Sequence, residues 1–238
     1  MVFDYVSVLA GGECPIDCSF CVGRKVRIKT KPYFADMDYI ERFMNHYRPF
    51  SDKLSISGST SDPLFVDELD EVIALAKKNE FKTSLHTCYL DGLLQRDESF
   101  LRSFYRLSLS LHDIPKDDVK KFIEKNKDLV RVNIVYHEGN RRIVDDMSFF
   151  DETPSSSFTI RKNIFDPQEP KLKKVKRIGD VFNQPMFEYD GGKKIAVWDF
   201  ADANLYIKAM YLWPDGQIRR QCFWHSLHPS HEDRISKE

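Results

Sequence analysis

GGECPIDCSFCVGR, residues 11–24, follows directly on a short β-rich run, FDYVSVLA (3–10). A strand therefore ends at Gly11-Gly12 and hands the chain to a loop that carries Cys14, Cys18 and Cys21. The spacing is Cys-x3-Cys-x2-Cys, with the aromatic Phe20 directly before the last cysteine. Thiolates are soft donors that suit iron–sulfur clusters and zinc, so neighbouring thiols read as metal or cluster ligands. Three ligands leave a closed zinc site one short, and the nearest downstream donors are His46 and Cys88. Two solutions stand: a zinc loop completed by a distant ligand, or a four-iron cubane with one iron open to a substrate or cofactor.

Working outward from the loop, Met37, Ile40, Phe43, Met44 and Tyr47 recur at helical spacing, and KLSISG (53–58) reads as a strand broken at Gly58. Phe65, Leu69, Val72, Ile73 and Ala76 mark a second helix; FKTSLH (81–86) and RLSLSLH (106–112) are further strands. Val119, Phe122 and Ile123 mark a helix after Pro115, before the strands LVRVNIVYH (129–137) and SSFTIRK (156–162). Six strands with helices between most of them predict an α/β fold with a parallel sheet, either open and doubly wound or a complete or partial barrel. In both, ligands sit at the carboxyl ends of the strands. Beyond residue 163 the rhythm is lost. KIAVWDF (194–200), NLYIKAMYLW (204–213) and the Pro214-Asp215-Gly216 turn predict a short β extension over 163–238, capping residues 1–162.

The chain has 238 residues, 42% apolar and 31% charged, which excludes disorder and collagen-like structure. No run approaches the 18 or so apolar residues of a membrane span, and Asp4 stands where a secretory leader would carry base, so the cytoplasm and no membrane partner are expected. A formal charge of −1 removes whole-molecule attraction to nucleic acid and leaves local patches.

The cysteine spacing, the aromatic before the third cysteine and the place after the first strand resemble the radical S-adenosylmethionine (SAM) superfamily. That resemblance implies a partial (β/α)6 barrel of radical SAM type over 1–162 and a 4Fe–4S cluster on Cys14, Cys18 and Cys21. It also implies SAM at the open iron and an external low-potential reductant such as flavodoxin or ferredoxin. It places SAM's amino group at the end of the second strand, ISGSTSDPL, with Gly58, Ser59, Thr60 and Asp62; the second Gly and the Glu usual there are replaced. Ser108 and Ser110 match the polar positions of the fourth strand. Asn133, between Val132 and Ile134, is a polar residue inside an apolar strand and is costly there unless something bonds to it. In the family, an electron from the cluster cleaves SAM, and the resulting 5′-deoxyadenosyl radical abstracts a hydrogen atom from an unactivated carbon.

His86, at a strand mouth, and Cys222, in the tail, are the candidate catalytic groups; Cys88 reads as a small buried apolar residue. RKVRIKTK (24–31) and KLKKVKR (171–177), with Arg141, Arg142, Arg219 and Arg220, are solvated faces or a grip on a phosphate backbone, with Phe223 and Trp224 available to stack on bases. The small phage-encoded family members that rearrange aminoacyl-modified thymidine in DNA resemble this chain in size, in domain poverty and in local charge, implying an isomerase of DNA modification. A peptide, tRNA or small metabolite is the alternative substrate. A zinc-containing nucleic-acid-binding protein is the non-enzymatic one.

Overall fold

The computed structural model describes residues 2–16, 18, 21, 29–163, 167–199 and 207–220. The chain divides into two compact units, residues 1–85 with 208–238, and residues 86–207.

In the first unit, β1 (Tyr5–Ala10) lies parallel to β2 (Lys53–Gly58), and β2 to β3 (Lys82–Thr87), whose last two residues belong to the second unit. The register sets Ser7 opposite Ser55 and Ser55 opposite Ser84, a row of small polar side chains on one face. All three are buried; Ser7 Oγ donates to the Ser55 carbonyl at 3.1 Å and Ser84 Oγ to that of Leu54 at 3.4 Å. The opposite face carries Val6, Val8, Leu54, Ile56 and Leu85, each fully buried. Two crossover helices supply the rest of this core: α1 (Met37–Tyr47) with Ile40, Phe43 and Met44, and α2 (Leu69–Lys78) with Leu69, Val72, Ile73 and Ala76. Asp36 starts α1 by accepting the Asp38 N–H at 2.9 Å, and Pro49 ends its α-helical run.

In the second unit, α3 (Leu90–Leu94) and α4 (Glu98–Leu101) precede β4 (Arg106–Leu111), and α5 (Asp117–Lys125) precedes β5 (Val130–Tyr136). The helices α6 (Arg141–Asp145) and α7 (Ser148–Glu152) then lead into β6 (Ser157–Lys162). β4, β5 and β6 are parallel neighbours. Leu107, Leu109, Val132, Ile134, Phe158 and Ile160 occupy one face, and the Phe150 ring meets Phe158 edge-on at 5.1 Å.

The stretch after residue 163 serves both units. β7 (Lys176–Val181), β8 (Gln184–Tyr189) and β9 (Lys193–Trp198) form an antiparallel meander whose β9 pairs parallel to β6. β10 (Ala209–Leu212) pairs parallel to β1, and β11 (Ile218–Arg219) returns antiparallel to β10. The appendage read from the sequence thus adds strands alongside the parallel strands of both units. The parallel partners lie far from β9 and β10 along the chain, so no local pattern announces them.

Candidate functional site

The cysteine loop leaves β1 under tight backbone control. Gly11 and Tyr33 exchange N–H to carbonyl bonds at 2.9 and 3.1 Å, and the Glu13 N–H reaches the Thr30 carbonyl at 2.8 Å. Gly12 has φ +99, and a Cβ there would sit 2.7 Å from the Lys31 carbonyl oxygen, so only glycine makes this turn. Cys18 is buried and Cys14 and Cys21 are half-buried. The Cys18 N–H bonds the Ile16 carbonyl at 3.1 Å and the Cys21 N–H that of Cys18 at 3.0 Å, which curls the loop around its sulfurs. Burial pushes the Cys14 thiol up; the backbone N–H groups of Ile16 and Asp62, aimed at its sulfur, oppose that, and the Asp62 carboxylate and Cys21 add to it.

The second element is the β2 loop. A Cβ on Gly58 would lie 2.2 Å from the Ser61 carbonyl oxygen, so this backbone folds back on itself in a way only glycine admits. Ser59 donates to the Ala10 carbonyl twice, from N–H and from Oγ, each at 2.8 Å, and Ser61 Oγ donates to the Glu13 carbonyl at 3.0 Å. The loop is thereby fastened to the end of β1 and to the cysteine segment. Asp62 Oδ1 accepts the Leu64 N–H at 3.0 Å, opening a 3-10 turn at Pro63–Phe65, so Phe65 precedes the helix the sequence assigned it to. Thr60 is 7% exposed, and its buried Oγ1 has no hydrogen-bond partner. An orphaned hydroxyl of this kind is satisfied by a ligand or by water.

Three cysteine donors in this loop suit either a zinc ion completed by a further ligand or a four-iron cubane with one iron open.

In the second unit, Ser108, Ser110 and Asn133 share one sheet face, with Ser110 directly opposite Asn133. Asn133 is 3% exposed and its Nδ2 donates to nothing. His86 closes the mouth of β3, still touching solvent at its edge. Burial first, and then the guanidinium groups of Arg161, Arg106 and Arg131, depress its pKa to about 3, so it is neutral at physiological pH. Cys222, the other candidate catalytic group, lies outside the described residues together with Phe223 and Trp224. Tyr136 is a structural residue: its hydroxyl donates to Asp145 at 2.9 Å, and burial followed by that carboxylate pushes its pKa up to about 12.

Of the basic residues in segment 24–31 only Lys29 and Lys31 are described, and Lys31 pairs with Asp67 at 2.6 Å. Arg177 pairs with Asp180 at 2.7 Å, and Arg219 with Asp215 at 3.4 Å while lying over the Trp213 ring. Lys173, Lys174 and Lys176 stand exposed. Two features were missed from sequence. Cys88 and His112 bring sulfur and imidazole nitrogen within 4.8 Å. Arg106, Arg131 and Arg161 share the sheet face of Ser108 and Asn133, a fact available from strand alternation once the polar serines drew attention to that face.

No family model and no curated relative matches the sequence. Solved structures do. Streptococcus suis SuiB bound to precursor peptide SuiA matches at 15% identity, covering 72% of this chain and 43% of that one, with a TM-score of 0.51. Native anSMEcpe with bound AdoMet matches at 17% identity, covering 69% of this chain and 53% of that one, with a TM-score of 0.50. The chain therefore spans about half the length of these proteins and shares their mixed α/β fold with a mostly parallel sheet.

Proposed function

We propose that the chain is a radical SAM enzyme, in which Cys14, Cys18 and Cys21 hold a 4Fe–4S cluster with one iron left open for SAM. The observation that carries this reading is the joint between two loops: a three-cysteine turn at the end of β1, fastened through Ser61 and Glu13 to a glycine turn at the end of β2 that presents a buried, unpartnered hydroxyl. The fold shared with an AdoMet-bound protein supports it. When bound, the cluster and SAM supply a 5′-deoxyadenosyl radical capable of taking hydrogen from an unactivated carbon.

The chain's own residues supply position and exclude water. Gly58 lets the backbone approach closely, and the oxygens of Ser59 and Thr60 accept from SAM's ammonium group. Ser108 and Ser110 are assigned to SAM's ribose and carboxylate, while Asn133 holds an amide donor in a dry face for a separate acceptor to meet. His86, held neutral, is available to accept a hydrogen bond or a proton.

For the substrate, an aminoacyl-modified thymidine in DNA, rearranged by an isomerase step, is supported by the exposed Lys173, Lys174 and Lys176. The pairing of Lys31, Arg177 and Arg219 with carboxylates weakens that support. A peptide substrate is the second reading, favoured by the likeness to peptide-bound SuiB. An external flavodoxin or ferredoxin would deliver the electron. Among the described residues no helix is long and apolar enough to cross a membrane.

Anaerobic reconstitution with iron, sulfide, SAM and dithionite tests the activity. Formation of 5′-deoxyadenosine by the native chain and its loss in Cys21→Ala support the proposal; no SAM cleavage by a fully reconstituted chain refutes it. Mass spectrometry of host nucleosides and peptides then separates the substrates.

A further inference from the structure

The sheet face that carries Ser108 and Asn133 also carries an uncompensated positive charge. Ser108 lies opposite Arg131, whose Nε donates to the Ser157 hydroxyl of β6 at 3.2 Å. Two residues earlier on β4, Arg106 points to the same side, and two positions beyond Asn133 on β5 the register meets Arg161 of β6. Among the described residues neither Arg106 nor Arg131 has a carboxylate within 4.0 Å; Arg106 lies over the exposed Tyr105 ring at 5.1 Å, and Arg131 has Ser157. Both arginines are half-buried.

Half-buried cations that repel one another are expensive unless an anion joins them. The strain shows at Arg131, whose guanidinium is held below its usual range by burial first and by Arg106 and Arg161 after it. A second observation of a different kind points the same way. Asn133 Nδ2, buried on this face, is a donor without an acceptor. Cations and a neutral donor face one surface and lack the same thing, a multidentate oxygen acceptor. Guanidinium groups are suited to bind one through paired N–H donors.

We propose that this face of the second unit binds a carboxylate or phosphate group of the substrate, with Arg131 and Arg106 supplying the charge and Asn133 a neutral hydrogen bond. The inference rests on the enzymatic reading only in making the anion part of a substrate. Anion binding itself needs no cluster, so the two can fail separately.

The test uses the full chain and inorganic phosphate as probe, titrated by calorimetry against chloride at constant ionic strength. Saturable phosphate binding is expected, weakened at least tenfold in Arg131→Gln and in Arg106→Gln. Each variant removes a repelling cation, so its thermal midpoint should be unchanged or higher; should one fail to fold, a phosphate-induced rise in the native chain's midpoint, absent with chloride, gives the same readout. No binding to the native chain beyond chloride, or binding that survives both substitutions, overturns the proposal. The source of the anion is decided on reconstituted protein. If SAM and phosphate bind together and Arg131→Gln keeps its SAM affinity, the site belongs to a substrate. If SAM displaces phosphate and the variant loses SAM by the same factor, the arginines hold SAM's own carboxylate and the substrate assignment is wrong.

Discussion

The Ser61 hydroxyl donates to the Glu13 carbonyl at 3.0 Å, tying the loop that follows β2 to the residue directly before Cys14. The Asp62 N–H, one residue on, is aimed at the Cys14 sulfur. Two segments about fifty positions apart therefore share one frame, and disturbing either disturbs the other.

Gly58→Ala is the sharpest disturbance. The added methyl would meet the Ser61 carbonyl oxygen at 2.2 Å, and because that atom belongs to the backbone the loop itself must shift. A loss of about 2 kcal/mol in urea unfolding is expected for such overpacking. SAM affinity on reconstituted protein should fall more than tenfold. Native SAM affinity in this variant would show that the β2 loop does not hold SAM.

Thr60→Val separates ligand binding from folding. It keeps the side chain's shape and removes a hydroxyl that is buried without a partner, so the unliganded chain should be as stable as before or slightly more so. SAM binding, measured by equilibrium dialysis, should weaken by about 1 kcal/mol or more. Unfolding of the variant would mean that the hydroxyl is needed by the fold and not by a ligand.

Much of this frame is legible in the sequence. Phe3 to Ala10 ending on two glycines, the cysteine spacing and KLSISG ending on Gly58 announce two strands with loops at their carboxyl ends, because hydrophobic runs and glycines are local signals. The arginines are not announced. Arg106, Arg131 and Arg161 look like ordinary strand-end cations until register places them on one face, and register is a property of pairs of strands distant in sequence. The same reason hides the parallel pairing of β9 with β6 and of β10 with β1. The paired basic residues show the converse: Lys31, Arg177 and Arg219 read as a charge patch but find carboxylates once folded.

His86 makes stability sensitive to acid. Its folded pKa, about 3, lies below the ordinary value of 6.5, so below pH 6.5 the unfolded chain takes up a proton that the folded chain refuses. Stability is unaffected by this group above pH 6.5 and falls by up to about 1.4 kcal/mol for each unit below it. Arg161, Arg106 and Arg131 are the charged groups that enforce the shift after burial. Urea unfolding at pH 7 and pH 5 should show a loss in the native chain about 2 kcal/mol greater than in His86→Gln. Equal losses would place His86 in an ordinary, solvated setting.

The central claim is that Cys14, Cys18 and Cys21 hold a cluster and not a single ion, and metal and sulfide analysis of anaerobically purified, reconstituted protein tests it most directly. Roughly four irons and four sulfides per chain are expected, with a thiolate-to-iron absorption that bleaches on reduction. Cys14→Ala, Cys18→Ala and Cys21→Ala should each abolish it. One zinc per chain, without sulfide and retained through anaerobic purification, would contradict the account.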